Sequence, residues 1–318
     1  MKTKRAYLIE PRKFELRETE VNPINDQVLI KIAVCALCNS ELGNWRGYGN
    51  QYPQTLGHEW AGTVVELGPD VKKLKIGDKV TALLKGHTVG YSEYVVAGES
   101  NCVKIAPQVD LQDALGEPLK CVLTVVRGAA PEAADHAVVQ GCGPMGLWCI
   151  QALKGNYLSS LTAIDIDEKK LKLAQKYGAT HLINPRQENA EKQIEAITDG
   201  HMADFVIEGT GVPELLSPTQ RYLKKGRGRL IMMSFHEKSC PEFDFREAVA
   251  RSLQIFVAHP AYSTNEMDDL RRAVSHLNNG VFEVRELVTH KFKLDEIQKA
   301  FETLEHKPAG YLKGIVTP

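Results

Sequence analysis

Residues 141–146 read Gly-Cys-Gly-Pro-Met-Gly, and what flanks them leaves few ways to fold. The run before them, HAVVQ (136–140), is short and β-prone, while PMGLWCIQAL (144–153) has helical length and opens on proline. A strand that turns at once into a helix needs glycine where the backbone bends and where the two elements pack close. A G-x-G-x-x-G is a weak signal alone and a stronger one in this setting. Gly141 would make the tight turn, Gly143 would let a pyrophosphate approach the backbone together with Pro144 and Met145, and Gly146 would let the helix pack on the strand. The phosphates would lie over the helix N-terminus, where unpaired N–H groups and the helix dipole favour anions. Asp165 ends LTAID about 20 residues further on, where a carboxylate accepts hydrogen bonds from ribose hydroxyls and repels a 2′-phosphate. No arginine adjoins Asp165, which favours NAD over NADP. The plainer account is a bare strand–helix turn beside a solvated acid, and it leaves the spacing unexplained.

The alternation continues downstream. LTAIDID, THLINP, ADFVIEG and GRLIMMS read as strands, with EKKLKLAQKYGA, ENAEKQIEAIT and PELLSPTQRYL as helices between them. Strands and helices alternating at this length predict an α/β fold with a doubly wound parallel sheet. The first third reads differently. AYLIE and KFELRE alternate around Pro11 as a strand pair, and VLIKIAVCAL, WAGTVVELG, KVTALL and SEYVVA are β-prone runs cut apart by glycine and proline. That pattern predicts a Greek-key or barrel-like β domain. LQDALGEPLKCVLTVVRGA, from Leu111, reads as helical. Near the end TNEMDDLRRAVSHLNNG and LDEIQKAFETLEH read as helices capped by Thr264 or Asn265 and by Asp295. A chain of 318 residues suits two domains.

Composition removes several classes of function. The net charge is −1 and there is no long basic run, so nothing favours nucleic acid or an anionic membrane as partner. No stretch approaches the ~20 apolar residues of a membrane helix. The N-terminal MKTKRAYLIEPRKFELRE carries basic residues with no apolar run behind them, unlike a signal peptide, so the expected compartment is the cytoplasm. Seven cysteines, at 35, 38, 102, 121, 142, 149 and 240, are scattered and odd in number, which argues against a secreted disulfide framework.

Cys38 follows a strand, His58 and Glu59 come twenty residues later, and Glu117 opens the helix ahead of the glycine turn. A thiolate, an imidazole and one or two carboxylates make a plausible catalytic zinc set. Spacing alone does not join them. Cys38 also reads as a small buried residue and His58 as a hydrogen-bonded turn histidine. Cys35-x-x-Cys38 is not half of a four-cysteine knuckle, since no second C-x-x-C exists. A redox pair would expect a thioredoxin-like setting, which the β-rich surroundings do not suggest.

Taken in order, Cys38-Asn39-Ser40-Glu41, GHEWAGTVVELG (57–68), IGDKV (76–80), EPL (117–119), the glycine turn with Asp165, and ADFVIEGTG (203–211) resemble the medium-chain dehydrogenase/reductase superfamily. The resemblance covers nearly the whole chain and lies on the zinc-dependent alcohol and polyol side, the sorbitol- or threonine-dehydrogenase-like branch. It implies a GroES-like β-barrel catalytic domain over 1–119 and 262–318, a Rossmann NAD-binding domain over 120–261, and an active cleft between them. It implies that Cys38, His58 and Glu59 ligate zinc, with Glu117 as a fourth ligand or a partner through water. Ser40 would take the substrate's hydroxyl proton, Glu59 would belong to the catalytic set as well, and Glu41 stands where an aspartate usually orients the ligating histidine. Lys170 would approach the adenosine. Thr210, Met233, Ser234 and Phe235 would line the cofactor, and Lys313 would approach the pyrophosphate.

Two departures matter. The lobe of four close cysteines that binds a structural zinc in many relatives is missing from KVTALLKGHTVGYSEYVV, so one catalytic zinc and no structural zinc are expected. A relay histidine three residues past the serine is replaced by Gly43, so the proton must leave by ribose hydroxyls, water or another group; His87 is a candidate for lining the cleft and also reads as a surface loop histidine. Hydride leaves a carbinol carbon readily only when its oxygen approaches alkoxide, and zinc can lower the pKa of bound water from about 15.7 to roughly 7. The expected reaction is therefore hydride transfer between a secondary alcohol, of the sugar, polyol or cyclitol type, and NAD. Trp45, Arg46, Tyr48 and Asn50 could line a polar substrate or form an ordinary aromatic loop. A zinc-free quinone or enoyl reductase of the same superfamily and a non-catalytic nucleotide-binding protein are the competing readings. Family members pair the edge strands of their Rossmann sheets, and SLQIFVAHP (252–260) suits such pairing, so a homodimer or homotetramer is expected.

Overall fold

The apolar pattern changes period near residue 111, and the chain sorts into two compact units, 1–120 with 270–318 and 121–269. The computed structural model describes residues 1–48, 51–84, 88–155, 157–234, 242–259 and 263–318.

The first unit begins with β1 (Lys2–Glu10) and β2 (Lys13–Glu20), which pair antiparallel across a turn at Pro11 and Arg12. Then come β3 (Gln27–Ala36), the short helix α1 (Leu42–Arg46), β4 (Glu59–Leu67), β5 (Lys79–Ala82), β6 (Tyr94–Gly98) and β7 (Cys102–Ile105). Helix α2 (Gly116–Ala129) leads into the second unit, preceded by a 3-10 turn at Leu111–Asp113.

There the order is β8 (His136–Gln140), α3 (Pro144–Leu153), β9 (Ser160–Ile164), α4 (Glu168–Tyr177), β10 (His181–Ile183), α5 (Ala190–Ile197), β11 (Phe205–Glu208), α6 (Leu216–Thr219), β12 (Arg229–Met232), α7 (Phe245–Ala250) and β13 (Gln254–Val257). Helix α8 (Glu266–Asn278), β14 (Val288–Lys293), α9 (Ile297–His306) and β15 (Lys313–Thr317) finish the chain.

In the first unit the strands run in the order β14-β15-β3-β4-β5-β7, with β6 also on β3. Strand β3 is the spine of this sheet. It pairs antiparallel with β4 on one side, and with β6 and then β15 on the other. Val28, Ile30, Trp60, Val64, Val80 and Val95 meet in its core, each worth about 1.5–3 kcal/mol on full burial.

The second sheet is parallel throughout, in the order β10-β9-β8-β11-β12-β13. Strands β9 and β11 are buried along their whole length, as a sheet covered on both faces requires. The chain winds outward from β8 through β9 and β10, then returns past β8 to β11. The order reverses between β8 and β11, and open sheets of this kind bind ligands at the carboxyl ends of the strands beside such a reversal. The outer strand β13 is exposed along its length.

Some local expectations differ from what is observed. PELLSPTQRYL forms two 3-10 turns around the single-turn α6 rather than one helix. Pro218 lacks the N–H that a continuous helix would use and crowds the preceding turn. Asn265 does cap α8, its Oδ1 accepting the Asp268 N–H at 3.0 Å. Asp295 is not the cap of its helix; Glu296 reaches back to the Lys293 N–H at 3.0 Å instead. Among the described residues no helix is long and apolar enough to cross a membrane.

One carboxylate ties three segments of the first unit together. Glu305, on α9, accepts from Arg12 at 2.9 and 3.2 Å, from Arg46 Nε at 2.9 Å and from Trp45 Nε1 at 2.9 Å. The Trp45 ring is buried between Phe14 and Phe301. The Arg12 hydrogen bonds, with Trp45 and Arg46 against a burial penalty, lower the Glu305 carboxyl from 4.5 to about 2. Its folded value is below its unfolded value, so its contribution to stability is present above pH 4.5 and lost as pH falls toward 2. Glu305→Gln should lower the thermal midpoint near neutrality, and melting curves of parent and variant should converge as pH is lowered through that window.

Candidate metal centre and dinucleotide turn

The register of β3 on β4 decides where the first cluster forms. Ala36, the last residue of β3, lies opposite Glu59, the first of β4. The chain leaves β3 through an extended Cys38 (φ −120°, ψ 138°) and enters a 3-10 turn at Asn39–Glu41. It arrives at β4 through Gly57 and His58. Exit and entry are therefore neighbours, and one donor atom from each of Cys38, His58 and Glu59 lies within 4.8 Å of the others. Sulfur, imidazole nitrogen and carboxylate oxygen are the donors zinc takes, and three protein ligands leave a position for substrate. The residues present fit a catalytic zinc.

The histidine is aimed. Its Nδ1 lies 2.8 Å from Glu41 Oε1, which also accepts the Gly57 N–H at 2.8 Å. That leaves Nε2 for the cluster, 4.0 Å from Glu59 Oε1. Burial alone would lower the His58 pKa; the Glu41 charge and hydrogen bonds with Cys38 and Glu41 outweigh it and raise the pKa well above its ordinary value. Gly57 has φ +98°, and a Cβ there would sit 2.6 Å from the Tyr91 nitrogen. Ser40 is exposed, with its hydroxyl 3.2 Å from Cys38 Sγ.

The Lys313 ammonium lies 2.6 Å from Glu59 Oε2. Strand β15 pairs beside β3 and delivers it there. Burial works against this charge; Glu59 and Cys38 outweigh it and raise the Lys313 pKa. Glu59 thus splits its oxygens, one toward His58 and one held by lysine. Glu117 is outside the trio. Its carboxylate takes the buried Lys120 ammonium at 2.9 Å. Trp45 and Arg46 both donate to Glu305 and Trp45 is buried, whereas Tyr48 is exposed. Asn50 and His87 lie outside the described residues. None of Cys35, Cys38, Cys102, Cys142 and Cys149 is in a disulfide.

The second cluster lies at the carboxyl ends of the parallel strands. Gly141 follows β8, Asp165 follows β9, Gly209 and Thr210 follow β11, and Met233 and Ser234 follow β12. Gly141 has φ +95°, and a Cβ there would meet the Gly209 carbonyl carbon at 2.8 Å. Gly146 packs directly under the Gly141 carbonyl. Gly143 caps α3, Pro144 occupies the first helical position, and among the described residues, its chain neighbours aside, no atom lies within 4 Å of where a Gly143 Cβ would point. The first turn of α3, with Met145 and Gly146, carries the positive end of the helix dipole. Asp165 is fixed by the turn itself, accepting the Cys142 N–H on Oδ2 at 2.7 Å and the Asp167 N–H on Oδ1 at 2.9 Å. Lys170 stands half-buried in the first turn of α4. Glu208 organises the rest. Its side chain holds Thr210, and its carbonyl accepts the N–H groups of Met233 at 2.9 Å and Ser234 at 3.3 Å. Phe235 lies outside the described residues.

Both halves match known domains. Residues 24–108 match the alcohol dehydrogenase GroES-like domain, and residues 144–276 match the zinc-binding dehydrogenase domain. The L-threonine 3-dehydrogenase of Pyrococcus furiosus is 30% identical over an alignment of 351 residues, covering 98% of this chain and 96% of that one. The chain belongs to the zinc-binding alcohol dehydrogenase family. Sorbitol dehydrogenase of Halalkalibacterium halodurans is 26% identical over 94% of each chain. The structure of 2R,3R-butanediol dehydrogenase from Bacillus subtilis superposes with a TM-score of 0.87 at 26% identity, over 99% of each chain. This zinc-binding dehydrogenase is accordingly an oxidoreductase of the alcohol dehydrogenase kind, with zinc and NAD(P) as its cofactors, a GroES-like domain and a Rossmann domain. The zinc-free and non-catalytic readings give way to it.

Proposed function

We propose that this dehydrogenase moves hydride between NAD and a secondary alcohol with a polar neighbour, such as a sugar, polyol or cyclitol hydroxyl. The observation that carries the reading is the Cys38–His58–Glu59 trio within 4.8 Å, beside an exposed Ser40 hydroxyl. The relatives named for sorbitol, L-threonine and 2R,3R-butanediol support the substrate class, since each compound bears a polar group next to a secondary hydroxyl.

In this reading Cys38, His58 and Glu59 hold a single zinc, and Glu117 serves it through water while paired with Lys120. When bound, zinc supplies polarisation of the carbinol oxygen and the dinucleotide supplies the hydride acceptor. Ser40 relays the hydroxyl proton as the carbinol oxygen gains negative charge: its oxygen accepts that proton while its own passes on to water or a ribose hydroxyl. Glu41 keeps His58 in the tautomer that leaves Nε2 free to bind metal. Lys313 holds Glu59 Oε2 and so turns Oε1 inward, and the approach of its ammonium to the pyrophosphate remains part of this reading. Gly141, Gly143 and Gly146 place the pyrophosphate, Asp165 takes the ribose hydroxyls, and the backbone around Thr210, Met233 and Ser234 flanks the rest of the cofactor.

The outer strand β13 supports a homodimer or homotetramer. Ile255, Phe256 and Val257 are 43%, 43% and 65% exposed on an edge that no described strand covers. An apolar open edge of this kind is a template for a second copy.

Cys38→Ala should abolish zinc uptake and lower turnover about a thousandfold or more while NADH binding persists. Metal analysis with NADH fluorescence checks this, and retained activity would overturn the reading. Asp165→Ala should cut the NAD-over-NADP preference roughly ten- to a hundredfold, the worth of one or two charged hydrogen bonds. The ratio of kcat/KM for the two cofactors reads it, and an unchanged ratio would remove Asp165 as the selector. Val257→Lys should lower the mass seen by light scattering to that of smaller assemblies, whereas an unchanged mass would remove β13 as the interface.

A further inference from the structure

Glu41 is held at both oxygens. Oε1 takes Gly57 and His58, and Oε2 takes the Tyr91 hydroxyl at 2.8 Å. The same hydroxyl lies 3.1 Å from the Ala36 carbonyl oxygen, at the end of β3. Glu41 and Tyr91 are 4% and 1% exposed, so water does not substitute for either partner.

A glutamate has three side-chain torsions, and with one oxygen anchored they can still adjust together and pivot the carboxylate about that oxygen. A second anchor fixes the plane, and the plane sets where Oε1 meets the imidazole. Tyr91 is suited to the task because it is itself fixed. Its ring packs edge-on against Phe301 at 5.6 Å. Its N–H meets the Leu56 carbonyl at 3.4 Å, and its own carbonyl accepts the Ala6 N–H at 2.9 Å. The closeness of Gly57 to the Tyr91 backbone brings this anchor beside His58.

We propose that Tyr91 is a positioning residue of the metal centre, locking the Glu41 carboxylate so that His58 keeps Nε2 turned to Cys38 and Glu59. The inference rests on the reading of those residues as zinc ligands. It assigns a role to a tyrosine outside every motif that marks the site.

Zinc affinity is measured by chelator competition on the full chain for parent, Tyr91→Phe, Glu41→Gln and the double variant, with Cys38→Ala as the reference for no binding. Phenylalanine keeps the ring on Phe301 and removes only the hydroxyl. Tyr91→Phe should weaken zinc about 10- to 100-fold, the usual effect of losing a partner behind a metal ligand. The metal-free variant should melt only about 2–4 °C lower, the shift of a single lost hydrogen bond. In the Glu41→Gln background the same change should cost less than about 3-fold, because the two residues act in series. Cobalt(II) in the Tyr91→Phe protein should show shifted ligand-field bands, as a re-aimed imidazole requires.

If the parent binds zinc and Tyr91→Phe binds it within about 2-fold, or if the two losses multiply independently, the inference falls and the metal reading stands. If the parent takes up no more zinc than Cys38→Ala, both fall together.

Discussion

The metal centre depends on the antiparallel ladder between β3 and β4. A ligand set drawn from residues 38, 58 and 59 converges only if Ala36 lies opposite Glu59. A slip of one residue would reverse the facing of every side chain on one strand. The buried faces of Ile30, Ile32, Val64 and Trp60 forbid such a slip, so the hydrophobic core also fixes the ligand geometry. Strand β15 uses the same spine to bring Lys313 against Glu59.

The two clusters are built on different principles. In the GroES-like unit, side chains make the cluster, and two of its three members are held by another residue: Glu41 behind His58 and Lys313 behind Glu59. In the Rossmann unit the main chain makes most of the cluster. Strand ends, a positive-φ glycine and the first turn of α3 form the surface proposed for the phosphates. The contrast follows from what each must bind. A metal ion needs donors at set distances, whereas a pyrophosphate needs open N–H groups and room.

Much of this was legible because it is local. The glycine turn, its strand and its helix occupy eighteen consecutive residues, 136–153, and Asp165 ends the next strand. The alternation of the Rossmann half and the strands of the first unit follow from periodicity alone. What stayed hidden depends on distant partners. Trp45 and Arg46 read as substrate lining or ordinary loop, and nothing in the sequence shows Glu305, some 260 residues later, accepting from both. Lys313 shows no sign in the sequence of pairing with Glu59, since only the β15–β3 ladder brings them together. Residues 213–222 carry helical composition, and Pro218 breaks it into turns. The residue types of the Cys38, His58 and Glu59 trio were readable; their meeting was a matter of register.

Asp165 has a consequence for changing the coenzyme. Its two oxygens are tied to the backbone at Cys142 and Asp167, so the acid that would select the sugar is also a strut of the loop beneath it. Swapping it for a smaller or basic residue leaves the amide of residue 142 without its acceptor. If Asp165 selects the coenzyme as proposed, that choice and the rigidity of the loop are one trait, and a redesign must restore the strut before it can retune the choice.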